Sequence, residues 1–145
     1  MKWLLIGLAI VVGLVVVVAV IGALLPREHV ASRTLRVRRT PAEVWRVITA
    51  LTEASSVPAD VLERDPPHRI VSRVKDTEKN FGGTWTIVIA PAADGSTLTI
   101  TEDGWVANPI FRFMSRVVIG HHATIDRILT QVAKTLNEEP ALSGE

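Results

Sequence analysis

The sequence predicts an α+β domain in which an antiparallel sheet wraps on a long C-terminal helix, preceded by one transmembrane helix. Three observations carry this. Residues 3–25 hold no charged side chain. Several later segments alternate apolar and polar residues with period two, and two others repeat apolar residues at helical spacing. The alternating segments give a sheet with one polar face, so the other face needs a cover, and the longest helical segment has an apolar stripe to supply it.

The chain has 145 residues, a length for one domain. Its 48% hydrophobic content and mean hydropathy of +0.30 lie at the upper edge for a soluble domain. The excess is concentrated in the first 25 residues, so the composition averages two unlike parts. There are 16 basic and 15 acidic residues, and setting Lys2 aside leaves the remainder neutral. A neutral domain argues against a nucleic-acid partner, which needs a basic surface to displace counterions. The absence of cysteine excludes disulfides, thiolate nucleophiles and cysteine-ligated metals. Enough apolar residues remain beyond the first segment to build a core.

Trp3 to Leu25 is a continuous uncharged run. As a helix it rises about 35 Å, enough to cross a hydrocarbon layer of about 30 Å with some tilt. The competing reading is a cleaved signal peptide, with an apolar region of about 7–15 residues and a small-x-small site. Here the run is longer, and Ile21-Gly22-Ala23 is a poor cleavage site. Residues 1–25 therefore read as a retained anchor, with the membrane as partner through residues 3–25. Flanking charge sets the orientation. Arg27, Arg33, Arg36, Arg38 and Arg39 follow the run, against Lys2 before it. This excess places the C-terminal domain in the cytoplasm of a single-pass cell-membrane protein. The alternative role for these arginines is as solvent-facing strand residues.

Pro26 stops the helix, and residues 26–31 read as a linker into a domain spanning 32–139. Ser32–Arg39 alternates, with Leu35 and Val37 on one face and Thr34, Arg36 and Arg38 on the other, as in a half-buried strand. Thr40-Pro41-Ala42-Glu43 is a helix start, with Thr as cap, Pro first and Glu third. That helix runs to about Leu51, with Val44, Trp45, Val47, Ile48 and Leu51 on its apolar face. Glu53–Ala59 reads as a loop. Val61–Glu63 is a short strand, Asp65-Pro66-Pro67 a turn and Arg69–Lys75 another strand. Asp76–Asn80 reads as a polar loop. Thr84–Ala90 and Thr97–Asp103 form a hairpin around Asp94-Gly95. Trp85, Ile87 and Ile89 share one face of the first strand. Leu98, Ile100 and Glu102 share one face of the second, with Thr97, Thr99, Thr101 and Asp103 on its solvent face. Asn108-Pro109 opens the longest element, whose apolar positions from Ile110 to Leu136 keep helical spacing for about eight turns. Gly120 lies inside it as a candidate kink. Residues 140–145 read as a polar tail.

Ordered short motifs then suggest a family. Leu25-Pro26-Arg27-Glu28-His29-Val30, Pro41-Ala42-Glu43-Val44-Trp45, Asp65-Pro66-Pro67-His68-Arg69, Phe81-Gly82-Gly83-Thr84-Trp85 and Leu98 to Gly104 occur in order. Asn108 to Phe113 and Gly120-His121 follow, and then Ala123 to Arg127. Together they resemble the SRPBCC family of START-like and Bet v1-like helix-grip proteins. The nearest branch is bacterial and membrane-anchored, often described as polyketide cyclase/dehydrase or lipid-transport-like. The resemblance implies a cavity for a hydrophobic ligand between sheet and helix. It does not establish catalysis, because fold does not dictate function. One departure is large. The family has a second short helix and two more strands where this chain has only Thr52–Val61. That shortening implies a smaller, more open cavity and an exposed sheet edge, which a second copy of the chain could cover.

His121 is the leading titratable candidate. It sits in the apolar stripe and matches the family's Gly-His pair, so it reads as a ligand handle or general base. The alternative is a core histidine bonded to a strand group. Glu102 shares parity with Leu98 and Ile100, and could orient a ligand or pair with His121. Its alternative is an ion pair with an arginine at the sheet rim. Trp85, Trp105, Phe111 and Phe113 read either as ligand-lining aromatics or as plain core. The expected ligand-binding set is Trp85, Ile87, Leu98, Ile100, Glu102, Trp105, Phe113, Met114, Val117 and His121. Arg33–Arg39 could meet anionic headgroups, or serve as a strand's polar face. His122 and Asp126 have i, i+4 spacing but no third ligand, so no metal is expected. There is no phosphate loop, dinucleotide fingerprint, G-x-S-x-G or H-E-x-x-H, so no cofactor is expected. The leading function is a membrane-tethered module binding a small hydrophobic or lipid-like molecule. The alternatives are a cyclase/dehydratase-type enzyme using His121 and Glu102, and a structural or interaction domain without a ligand.

Overall fold

The computed structural model describes residues 1–74 and 81–144. The expected Asp76–Asn80 loop and the Lys75 end of its preceding strand lie outside the described residues. The first element is α1 (Lys2–Leu24), with mean hydropathy 3.4 over its most apolar window, long and apolar enough to cross a membrane. Then come β1 (Glu28–Val37), α2 (Pro41–Glu53), β2 (Ala59–Asp65), β3 (Arg69–Val74), β4 (Phe81–Ala92) and β5 (Gly95–Val106). The C-terminal part holds α3 (Pro109–Phe113), a π-helical segment Met114–Ile119, α4 (Ala123–Thr135) and β6 (Ala141–Ser143).

The strands form one antiparallel sheet in the order β2-β3-β4-β5-β1-β6. Alternation decides its faces. Ala31, Leu35 and Val37 of β1, Ile87 and Ile89 of β4, and Leu98 and Ile100 of β5 are buried. On the opposite face Ser32 pairs with Thr101 at 2.9 Å and Thr34 with Thr99 at 2.8 Å, hydroxyl to hydroxyl, so this threonine face is satisfied without a cover. The helix α4 lays Ile125, Leu129 and Val132 on the apolar face, and α2 adds Val44 and Ile48, all at or near zero exposure. At the start of α2, Thr40 and Glu43 make the expected reciprocal capping box.

Four expectations change. The linker is shorter, because β1 begins at Glu28 and pairs with β5 from its first residue. The two-residue turn of the β4–β5 hairpin is Ala93-Asp94, since Ala92 and Gly95 are already paired. In the tail, Ala141–Ser143 pairs with β1 as an edge strand. Most consequentially, the long C-terminal helix is interrupted. Gly120 adopts φ 81°, a left-handed conformation that suits glycine and ends the π-helical segment. Of the expected long helix, only the α4 part covers the sheet. The segment before Gly120 keeps helical spacing yet points Val117, Val118 and Ile119 outward, each about 60% exposed.

The end of α1 is bolted to the domain. Gly22 is buried where a Cβ would fall 1.9 Å from the Pro109 carbonyl oxygen, so only glycine admits α3 this closely. Arg112, 4% exposed, donates Nε to Val106 O, Nη1 to Gly22 O and Leu25 O, and Nη2 to Ala107 O, at 2.7 to 3.1 Å. Two of these acceptors are terminal carbonyls of α1, where a helix presents negative partial charge. Two substitutions separate the core from this joint. Leu129→Ala is expected to lower global stability by about 2–5 kcal/mol in denaturant titration. Arg112→Met removes four charge-assisted bonds and is expected to cost about 3 kcal/mol or more, and to speed trypsin cleavage after Arg27.

Candidate functional site

The apolar core fills the space between the sheet and α4, so the open space lies at one end of the sheet. There a cavity of about 270 Å³ is lined by residues from β1, β4, β5, α3, the π-helical segment and the start of α4. Its titratable part is three side chains, His29, Glu102 and His121, with the hydroxyls of Ser115 and Thr124 beside them. His29 and His121 stack with ring centroids 4.0 Å apart and planes 16° from parallel. Glu102 Oε1 lies 3.7 Å from His29 Nε2, an ion pair whenever His29 is protonated. Its apolar part includes Phe81, Trp105, Phe111, Met114 and Ile119.

Local backbone chemistry makes room for this arrangement. His29 faces Gly104 across the β1–β5 register, and a Cβ at Gly104 would come within 2.8 Å of the imidazole. Trp105 faces Gly82 across β4–β5, and its indole occupies the space of the missing Cβ there. The left-handed Gly120 turns the chain so that His121 enters the cavity rather than continuing the outward stripe.

Burial holds the His121 imidazole below the ordinary histidine value of 6.5. The stacked His29 and nearby Arg116 act in the same direction, because each opposes a second positive charge, while Glu102 works the other way. The buried Nε2 of His121 has no hydrogen-bond partner among the described residues.

Of the expected ligand-binding residues, Glu102, Trp105, Met114 and His121 come together at this cavity. Ile87, Leu98 and Ile100 lie in the packed core, and Trp85 packs against it. Phe113 is half-buried and Val117 is exposed, and neither lines the cavity. Glu102 takes a histidine as its partner, not an arginine at the rim. Sequence reasoning missed His29, which falls within the expected 26–31 linker. The signal that could have found it is its parity with Leu35 and Val37, continued backward along one longer strand. Asp126, half of the His122–Asp126 pair, bonds Arg33 at 3.2 Å, and no cluster of three metal-ligating side chains occurs among the described residues.

Of the two readings of the basic run, the strand is the one seen: Arg33 and Arg36 lie on β1. At about 3.3 Å per residue, β1 carries Arg36 more than 20 Å along the strand from Glu28, the end nearest α1. Arg39 is held by Glu138 at 3.2 Å and by the Leu136 carbonyl. Arg33 binds Asp126 and the Gly144 carbonyl. These two arginines tie β1 to α4 and the C-terminal segment.

The lowered His121 pKa has a defined sign. Between the folded value and 6.5 the unfolded chain binds the proton more readily, so this stabilising contribution is complete above pH 6.5 and is lost as pH falls toward the folded value. The imidazole resonances of His121 are expected to titrate with a midpoint below 6.5 by NMR, and His121→Asn to remove that part of the acid destabilisation. A midpoint at or above 6.5 would contradict the burial argument. Gly104→Ala is expected to displace the His29 ring and shift both histidines' resonances, while the methyl resonances of Leu98 and Leu129 stay in place.

No family model matches the chain, and no curated protein matches it. Solved structures do. Protein MLL2253 from Mesorhizobium loti superposes with a TM-score of 0.56 at 14% identity, over 77% of this chain and 97% of that one. CalU16 from Micromonospora echinospora gives 0.55 at 11%, over 79% and 76%. A protein of Rhizobium leguminosarum gives 0.51 at 14%, over 74% and 97%. At these identities the likeness is one of fold. With its antiparallel sheet closed over a C-terminal helix, the chain has the Bet v1-like helix-grip fold.

Proposed function

We propose that this domain, tethered to a membrane by α1, takes up a small apolar or lipid-like molecule with one uncharged polar end. The observation that carries the reading is the pairing of apolar walls with one polar atom that has no partner among the described residues. Phe81, Trp105, Phe111, Met114 and Ile119 offer apolar surface, and the buried Nε2 of His121 lacks a partner. Binding sites of this type are mostly apolar, with few polar groups to fix orientation. Size narrows the ligand. A volume of about 270 Å³ is just below the usual range of about 300–1,000 Å³. It suits a small molecule, or one end of a longer one that projects from the mouth. A neutral imidazole favours a hydroxyl or carbonyl end over a carboxylate.

A second reading has one observation in its favour: Glu102 and His121 line the same cavity, as acid–base chemistry of cyclase or dehydratase type needs. The openness of the cavity and the engagement of Glu102 with His29 favour binding instead. Unchanged turnover of a known substrate by His121→Ala would dispose of the enzyme reading.

Binding is tested by organic extraction of the purified full chain followed by mass spectrometry. Thr124→Trp is the comparison, because Thr124 is exposed at the cavity and a larger side chain there blocks it without entering the core. A discrete apolar compound enriched in the native chain and depleted in Thr124→Trp is expected. Identical extracts from the two proteins would count against the proposal.

A further inference from the structure

The surface of the domain carries an apolar patch that extends well beyond the cavity wall. Downstream of α1, eleven large apolar residues among those described are exposed, and six of them fall within one ten-residue segment. These are Ile110, Phe111, Met114, Val117, Val118 and Ile119, between 38% and 61% exposed. The other five are scattered through β1, β2, β4 and the loop before β2. A concentrated patch of this kind marks a surface that meets something apolar, whereas scattered residues are ordinary.

Position says what that something is. The patch belongs to α3 and the π-helical segment, and α3 is packed on the last turn of α1 through Gly22 and Pro109. Arg112 fixes the same two pieces by bonding Gly22 O and Leu25 O. The end of a spanning helix lies at the membrane interface, so a segment bolted to that end lies at the same depth. The one unburied charge within the segment is Arg116, which is exposed on a long stem that can extend to headgroup phosphates while its neighbours enter the acyl region.

We propose that Ile110–Ile119 is a second membrane contact, an apolar wedge seated in the leaflet that receives the end of α1. Phe111, Met114 and Ile119 belong both to this patch and to the cavity wall. The cavity mouth therefore opens toward acyl chains, and an apolar ligand passes between bilayer and protein without crossing water. The inference rests on the membrane-tether reading of α1.

The chain has no native cysteine, so single-cysteine labelling is direct. An environment-sensitive fluorophore is placed on Val118→Cys, on Val12→Cys within α1, and on Asp94→Cys at the β4–β5 turn. Each full-length protein is reconstituted in phosphatidylcholine–phosphatidylglycerol vesicles. Quenching is then compared between spin-labelled lipids and aqueous iodide. The proposal expects the Val118 probe to behave like Val12, quenched by lipid labels and several-fold less by iodide than Asp94. Lipid quenching at Val12 with iodide quenching at Val118 would overturn the wedge and leave the tether standing. Failure of lipid quenching at Val12 would overturn both. A Val118 probe shielded from both quenchers would mean that protein covers the patch, as in a dimer, and would also overturn the proposal.

Discussion

The buried guanidinium of Arg112 is the interaction on which the arrangement of this molecule depends. A permanently charged group at 4% exposure forms no ion pair among the described residues, and its charge is met by dipoles. Four carbonyl oxygens do this, two from the end of α1 and two from the end of β5 and its following loop. The four bonds use four of its five N–H donors. Each acceptor would otherwise be a frayed end: the last carbonyls of a helix, and the backbone where a strand leaves its sheet. One side chain thus joins the apolar helix to the domain, sets where α3 begins and closes the sheet end beside the cavity. Lysine could not replace it, because an ammonium lacks the planar fork that reaches both sides at once.

That joint explains why the open space lies where it does. The sheet interior is filled by Leu98, Ile100, Ile87 and Ile89 against Ile125, Leu129 and Val132, leaving no room between sheet and α4. The cavity that holds His121 opens past Ile100, where Glu102 and Gly104 replace large apolar residues on the same face of β5. The chain is held there by α3 rather than by a continuation of α4. The shortened segment after α2 has the other expected consequence. Among the described residues the sheet stops at β2, all seven of whose residues are exposed.

Much of this was legible in the sequence, for a physical reason. Period-two alternation located the β4 and β5 hairpin and its threonine face, because burial on one side of a pleat imposes that pattern directly. Thr40-Pro41 and Asn108-Pro109 located two helix starts, because capping is local chemistry. The interruption at Gly120 was not legible. Ile110, Val117 and Val118 keep the spacing of Ile125, Leu129 and Val132, and periodicity records only that a face is apolar, not what covers it. His29 was hidden because its strand begins beside a proline stop. The three-residue β6 was hidden because so short a strand carries no periodicity. Trp105 and Met114 could be named for the cavity, yet Ile87, Leu98 and Ile100 could not be separated from them, since core and cavity wall share the same residue types.

The histidine pair shows how these levels connect. A proton on His121 meets the cost of burial first and then the repulsion of His29, stacked 4.0 Å away. Glu102 lies against His29 at one side of the stack, and burial favours the neutral form of His121. The arrangement depends on the missing Cβ at Gly104, which admits His29, and on the left-handed turn at Gly120, which delivers His121. A protonated imidazole would draw water and anions to this end of the sheet. A neutral one beside Phe111, Met114 and Trp105 presents a single unpaired nitrogen in apolar surroundings, where one hydrogen bond discriminates more strongly than it would in water. The same two glycines that break the regular pattern therefore determine both the geometry of the cavity and the charge state of its central polar group.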